Sequence, residues 1–162
     1  MKALAVLQDV IGFFPHKKMT VEFREDLSVV CVNDIPFTTL YRSESTENTF
    51  CFQISRNRHE EVKRVAAGNH FYYALYCGSN GFCFVQNDEV ESFFEINKSH
   101  NGEDVDSLHL YVEAKKGCAF RVFVKAGKKT GVRFGEMIRK RNFEPTLNVR
   151  SDNFKLDIVK RA

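Results

Sequence analysis

Apolar residues recur along the chain either at helical spacing or in alternation with polar residues, and the two patterns predict its elements. From Leu4 to Phe14 apolar residues recur every three or four positions, which predicts a helix over residues 3–14 that ends at Pro15. From Met19 onward apolar and polar residues alternate, as they do in half-buried strands. The pattern therefore predicts one helix followed by a run of strands.

Six segments in the first half of the chain have the pattern of strands. Asn33 and Asp34 favour a turn between two of them. The turn over Gly78–Gly81 predicts a tight hairpin, and the polar segment over 43–49 predicts a loop. The predicted strands cover residues 18–24, 26–32, 35–41, 50–55, 70–77 and 81–86.

A second helix is predicted directly after the strand over residues 50–55. Asn57 can cap its N-terminus, and Glu60 three positions later completes a capping box. Gly68 supplies a C-terminal stop, so the predicted helix covers residues 57–67.

The second half of the chain begins with a short acidic helix that Asn87 or Asp88 caps. Alternation next predicts a hairpin over residues 107–125, with Cys118 on the same face as its apolar residues. The other predicted elements are a loop over 97–106, a basic helix over 132–143 that Gly135 weakens, and edge-like strands over 146–149 and 154–160.

Together these elements predict a single α+β domain over residues 1–162, with a mixed or mainly antiparallel sheet flanked by helices. Composition agrees, because 43% of the residues are hydrophobic and 28% are charged, as in globular proteins. Gln8 and Asp9 interrupt the N-terminal apolar run, and no run approaches the roughly 20 apolar residues that a membrane helix needs. We therefore expect a soluble, cytoplasmic chain without a membrane partner.

The cysteines and histidines have no spacing that indicates a metal site. The five cysteines form no CxxC pair, and buried reduced thiols are favoured over disulfides. The five histidines are scattered, and none has a second histidine at i+2 or i+4. We expect no metal site and no cofactor, except a divalent metal if the protein is a nuclease.

Charge is distributed unevenly between the two ends of the chain. Residues 115–162 hold fourteen Lys or Arg and four Asp or Glu, a net charge of +10, whereas residues 1–114 carry −7. This asymmetry indicates a basic surface for a polyanion, or acidic and basic faces that meet within one chain or between subunits. The sequence leaves these alternatives open.

The order of elements over residues 3–86 is a helix, three or four strands, a helix and two strands. This order resembles the core of the PD-(D/E)XK nuclease-like fold, over about half of the chain. The resemblance places the first acidic ligand of the family at Asp34. The position of its second acidic ligand is occupied here by Gln53, and the position of its lysine is occupied by Ser55. Carboxylates hold the divalent metal of such a site, and the lysine helps to activate water. Because Gln53 and Ser55 depart from this motif, a binding-only descendant is expected rather than an enzyme.

A literal Glu-x-Lys triplet at Glu113 and Lys115 is the alternative catalytic candidate. It ends a predicted strand, and Asp106 lies upstream. The competing interpretation is an exposed ion pair at the end of the strand. The same spacing at Glu61 and Lys63, inside a predicted helix, shows that the triplet arises easily.

The basic region interleaves charges with aromatic rings, a combination that can hold phosphates and stack bases. The competing interpretation is that Phe123 packs under another element and that the basic residues only solvate the surface. The candidate nucleic-acid-binding residues are Tyr111, Arg121, Phe123, Lys125, Lys128, Lys129, Arg133, Arg139 and Arg141.

The favoured hypothesis is a non-catalytic nucleic-acid-binding or accessory protein that contacts DNA or RNA through its basic C-terminal face. Two alternatives stay open, a metal-dependent nuclease of PD-(D/E)XK type and a homo-oligomeric protein-interaction module. A homodimer is expected as well, because the charged halves are complementary and sixteen Phe residues are hard to hide in one core.

Overall fold

The structure is a computed structural model of the 162-residue chain. It describes residues 20–24, 29–32, 35–41, 44–102, 105–126, 132–141 and 155–159. Three predicted elements lie outside the described residues, namely the helix over 3–14, the turn at Asn33 and Asp34 and the strand over 146–149.

Two helices and eleven strands are present among the described residues, and they confirm the predicted α+β class. Within this part of the chain no helix combines the length and the apolar character needed to cross a lipid bilayer. The helices are α1 (Arg56–Ala66) and α2 (Asn87–Asn101). The strands are β1 (Thr20–Arg24), β2 (Val29–Val32), β3 (Ile35–Tyr41), β4 (Glu44–Thr46), β5 (Thr49–Ser55), β6 (Tyr72–Tyr76), β7 (Phe82–Gln86), β8 (Ser107–Glu113), β9 (Phe120–Ala126), β10 (Val132–Arg139) and β11 (Lys155–Val159).

The described strands form one mixed and one antiparallel sheet. The mixed sheet has the order β11-β1-β2-β3-β6-β7. In it β1 pairs with β11 and β3 pairs with β6 in parallel, and the other neighbours are antiparallel. The antiparallel sheet has the order β10-β9-β8-β5-β4. The sequence predicts one sheet of mixed or mainly antiparallel type, and the described strands form two sheets, one of each type.

One apolar core contains side chains from both sheets and both helices. Alternation along β8 turns Leu108, Leu110 and Val112 to the same face, and all three are buried. They belong to one cluster with Tyr73 of β6 and Phe94 of α2. The residues of β8 on the other face, namely His109, Tyr111 and Glu113, lie outside this cluster.

The two predicted hairpins are confirmed by antiparallel pairing of β6 with β7 and of β8 with β9. The first hairpin turns through a short 3-10 helix at Gly78–Asn80. One detail of the second prediction is wrong, because Cys118 lies exposed in the turn between β8 and β9 instead of on the core face.

Helix α1 begins earlier than its sequence pattern predicts. Its N-cap is Ser55 instead of Asn57, and Ser55 Oγ accepts a hydrogen bond from the backbone N–H of Arg58 at 3.1 Å. Ser55 is also the last residue of β5, so the helix follows the strand without an intervening loop. At the other end Ala67 already adopts the left-handed conformation, with φ 50°, one residue before the predicted stop at Gly68.

Helix α2 is longer than predicted and has a different N-cap. The cap is Gln86, not Asn87 or Asp88, and the Gln86 N–H donates to the Glu89 carboxylate at 3.2 Å. The helix continues into the segment 97–106, which was predicted to be a loop, until a glycine with φ 75° ends it. Its last turn is polar and exposed, so the apolar periodicity that identifies a helix is missing there.

The polar segment over 43–49, which was predicted to be a loop, contains strand β4. This strand pairs with β5 across a tight turn in which Asn48 has φ 60°. β4 is an edge strand of the antiparallel sheet. Charged and polar residues are common on edge strands, so the alternating pattern of a half-buried strand is absent.

The segment over 132–143, which was predicted to be a basic helix, forms the edge strand β10. Its register against β9 shifts between Phe134 and Met137, which marks a β-bulge. Gly135 lies in this bulge with φ 62°, a left-handed conformation that glycine adopts without strain. Because the bulge adds one residue between Phe134 and Met137, these two apolar residues stand three positions apart in the sequence, a spacing that is also typical of a helix.

Replacing Gly135 by alanine should lower the free energy of unfolding by about 1–2 kcal/mol, because an L-residue is strained in the left-handed conformation. The added Cβ would also lie 2.7 Å from Ile96 Cδ1 of α2. The matched control is Gly117→Ala, where φ is 76° and no described atom lies within 4 Å of the added Cβ. Urea unfolding should show the larger loss for Gly135→Ala. Equal losses would show that the contact with Ile96 plays no part.

Candidate nucleic-acid interface

The face of the antiparallel sheet opposite the core carries most of the predicted binding residues. Alternate residues of one strand share a face, and so do residues that pair across strands. The pairs Tyr111–Phe123 and Arg133–Lys125 therefore lie on this side. We define the outer face by Gln53, His109, Tyr111, Glu113, Arg121, Phe123, Lys125 and Arg133.

Four side chains of the outer face form a continuous stack. The rings of Tyr111 and Phe123 are parallel to within 10°, with centroids 5.6 Å apart. Lys125 Nζ lies 4.5 Å from the centroid of Tyr111, and Arg133 Cζ lies 4.2 Å from that of Phe123. Phe123 is fully buried and Tyr111 is half-buried. The Phe123 ring therefore supports its neighbours instead of offering a surface on which a base can stack.

A cavity of about 360 Å³ lies beside this stack, where β8 turns into β9. Arg133 Nη2 donates to Glu113 Oε2 at 2.7 Å, and Lys115 Nζ lies 3.8 Å from Glu113 Oε1. The hydrogen bond from Arg133 holds the pKa of the Glu113 carboxyl below its usual value, although burial acts in the opposite direction. The cavity is lined by Glu113, Lys115, Cys118, Ala119, Arg121 and Arg133.

Arg121 contributes a third cation to this cavity. Its Nη1 lies 2.7 Å from Glu136 Oε1, and both side chains are substantially exposed. An exposed ion pair of this kind contributes little to stability, so its arginine can exchange the carboxylate for another anion at small cost. The cavity lining therefore combines three cationic side chains with the carboxylate of Glu113, while Glu136 pairs with Arg121 from outside the lining.

Two of the predicted binding residues have partners within the fold. Arg139 pairs with Glu89 of α2, and its side chain is mostly buried. Arg141 donates to the backbone carbonyls of Lys115 and Cys118, each at 2.6 Å, and so holds the β8–β9 turn. Lys128 and Lys129 lie outside the described residues.

Among the nuclease candidates Glu113 and Lys115 form an ion pair, with Lys115 Nζ 3.8 Å from Glu113 Oε1, whereas the other described candidates lie elsewhere. Asp34 lies outside the described residues, Gln53 is exposed on β5, and Ser55 is occupied as the cap of α1. Asp106 directly precedes β8 and Glu113 ends it, which separates their backbones by roughly 20 Å. In the described part of the chain no three His, Cys, Asp or Glu residues are grouped in a way that could hold a metal ion.

A chain of three titratable side chains, two of them buried and the third partly exposed, escaped the sequence prediction. His59 of α1 is fully buried between Tyr73 and Glu91. Its Nδ1 lies 2.6 Å from Tyr73 Oη, and its Nε2 lies 2.8 Å from Glu91 Oε1. Arg56 and Lys63 also approach the Glu91 carboxylate, each at 3.4 Å. The sequence shows only isolated histidines, because these partners come from different elements.

The pKa directions of the three groups assign the protons in this chain. Burial lowers the pKa of His59, burial raises that of Tyr73, and hydrogen bonding to His59 and Lys63 lowers that of Glu91 against the effect of burial. A neutral His59 can then accept from the Tyr73 hydroxyl at Nδ1 and donate from Nε2 to the ionised Glu91. Because His59 and Tyr73 are fully buried, we interpret the chain as a stabilising network.

Comparison with known proteins finds no similarity that could identify the chain. No family model matches it. Searches of curated proteins and of solved structures find no match either. The resemblance to the PD-(D/E)XK fold therefore stays a prediction.

Proposed function

We propose that the protein binds nucleic acid without cleaving it and that the outer face is its binding surface. The observation that carries this proposal is the grouping of Lys115, Arg121 and Arg133 around one cavity, with Lys125 in the adjoining stack. Cationic side chains clustered on one surface bind the phosphates of a nucleic acid through charge and hydrogen bonds.

The proposed binding depends on the charge of the nucleic acid more than on its nucleotide sequence. Arg133 and Lys125 lie over aromatic rings, which positions their charges at the surface. Phe123 is buried, so of the two stacked rings only Tyr111 is placed where a base could reach it. Contacts to phosphates carry no sequence information, and we therefore expect little discrimination between sequences.

Fluorescence anisotropy with labelled single- and double-stranded DNA and RNA tests this proposal. We expect binding at about 50 mM salt that weakens steeply as salt is added, because bound phosphates release counterions. Absence of binding to all four nucleic acids at low salt would refute the proposal. Nicking of supercoiled plasmid with magnesium or manganese would favour the nuclease alternative.

Self-association remains a separate proposal. Some of the complementary charge is already paired within one chain, as in Arg133–Glu113 and Arg139–Glu89. The exposed Ile138, with 62% of its surface accessible on the edge strand β10, supports a contact between subunits. Light scattering should report about twice the chain mass of 18.7 kDa if a dimer forms. A mass equal to one chain would refute it.

A further inference from the structure

We propose that the cavity between β8, β9 and β10 binds the terminal phosphate of a nucleic-acid strand. The cavity is bounded by the end of β8, the turn that follows it and the outer sides of β9 and β10. This inference rests on the proposed function, since it assigns one end of the bound strand to one part of the outer face.

The charge of the cavity matches that of a phosphomonoester. The lining carries Lys115, Arg121 and Arg133 against the carboxylate of Glu113. The exposed Glu136 that pairs with Arg121 lies outside the lining, where a ligand can displace it at small cost. A terminal phosphate carries close to two negative charges at pH 7 and has three oxygens that accept hydrogen bonds. A phosphodiester within a strand carries one charge, so it would leave part of the cationic lining without an anion.

The geometry of the cavity also favours a terminal group. Glu113 is about nine-tenths buried and holds the Arg133 guanidinium at 2.7 Å, which fixes one donor at the cavity wall. Cys118 and Ala119 contribute only small side chains to the lining. The volume of about 360 Å³ falls in the range of small-ligand pockets, and it is large enough for a phosphate with its attached sugar.

The Lys125–Tyr111 pair indicates the path that the rest of the nucleic-acid strand would follow. This pair belongs to the stack that adjoins the cavity through Arg133, which contacts both Phe123 and Glu113. A strand whose end lies in the cavity can therefore continue along the outer face, over Tyr111 and Lys125. The arrangement distinguishes a strand end from a free phosphate, which would contact the cavity alone.

The thiol of Cys118 provides a direct reporter of occupancy, because it is exposed and lines the cavity. We would measure its alkylation by a maleimide, using mass spectrometry, with the buried Cys77 and Cys83 as internal references. The ligands are one short oligonucleotide bearing a 5′-phosphate, a 3′-phosphate or hydroxyl groups at both ends, and also adenosine monophosphate and inorganic phosphate.

A phosphorylated oligonucleotide should protect Cys118 at a concentration about tenfold lower than the hydroxyl-ended oligonucleotide, given the added charge-assisted hydrogen bonds. The Arg121→Gln substitution should abolish this preference, and Arg64→Gln on α1 should preserve it. Equal protection by phosphorylated and hydroxyl-ended strands would overturn the inference and leave the proposed function intact. Protection by adenosine monophosphate or inorganic phosphate without binding of any oligonucleotide would overturn both.

Discussion

Replacing His59 by alanine should lower the free energy of unfolding by about 3–5 kcal/mol, one of the largest effects expected for a single substitution in this chain. The side chain is fully buried, and its ring contacts those of Phe71, Tyr73 and Phe94. Its removal leaves a cavity and deprives the buried Tyr73 hydroxyl of its hydrogen-bond partner. Urea denaturation followed by circular dichroism measures this loss.

The matched control is His100→Ala, which removes the same side chain from an exposed position at the end of α2. It should change the stability by no more than about 0.5 kcal/mol. Tyr73→Phe should cost about 1–2 kcal/mol, because the ring remains while the hydroxyl that donates to His59 is lost. A loss for His59→Ala no larger than that for His100→Ala would contradict the stabilising role of the network.

The same network predicts how stability depends on pH. The pKa of His59 in the folded chain lies below its ordinary value of 6.5, chiefly because of burial. As the pH falls below about 6.5, the unfolded chain binds a proton that the folded chain does not, so stability present above this pH is lost. Between pH 7 and 5.5 the wild-type protein should therefore lose more stability than His59→Ala. Equal losses would show that His59 does not titrate in this way.

Neutralising three cations of the outer face should weaken nucleic-acid binding by about 10²-fold to 10³-fold at 0.1 M salt. The variant combines Lys115→Gln, Arg121→Gln and Lys125→Gln, all at exposed positions. Each substitution should also lower the slope of log K against log salt by about one, because each removes one phosphate contact. Fluorescence anisotropy across a salt series measures both quantities.

A control variant of equal charge separates this effect from the loss of net charge. It combines Lys63→Gln and Arg64→Gln on α1 with Lys98→Gln on α2, which are also exposed. Its binding should stay within about threefold of the wild-type protein, since α1 and α2 do not form the outer face. Equal weakening by the two variants would show that only the overall charge of the protein matters.

Alternation predicted the β8–β9 hairpin because its two faces differ in polarity along most of their length. Leu108, Leu110 and Val112 are buried, while Tyr111 and Glu113 belong to the outer face. The cues are local, so the sequence alone was sufficient. The same reasoning identified the separate candidates of the basic region, although it could not show which of them face the same way.

The bulge in β10 explains why the cavity could not be predicted from the sequence. Gly135 interrupts the alternation of this strand and spaces Phe134 and Met137 as in a helix. A helix there would not place Arg133 opposite Lys125, and the contact between Arg133 and Glu113 would not be expected. The position of the cavity therefore depends on strand pairing that local sequence patterns do not encode.

The buried network was missed for a different reason. His59 and Tyr73 lie on α1 and β6, and Glu91 lies on α2. Their side chains meet only because these elements pack around one core. Helical spacing and capping residues describe each helix separately, so they contain no information on which side chains of different elements come together.

Lysine footprinting tests most directly whether the outer face binds nucleic acid. Acetylation with and without a bound oligonucleotide, read by mass spectrometry, compares Lys115 with Lys63 in the same molecule. The two are matched, since each lies within 4 Å of a glutamate and their side chains are 62% and 48% exposed. We predict that nucleic acid protects Lys115 and Lys125 and leaves Lys63 and Lys98 unchanged. Protection of Lys63 and Lys98 with continued acetylation of Lys115 and Lys125 would contradict the account.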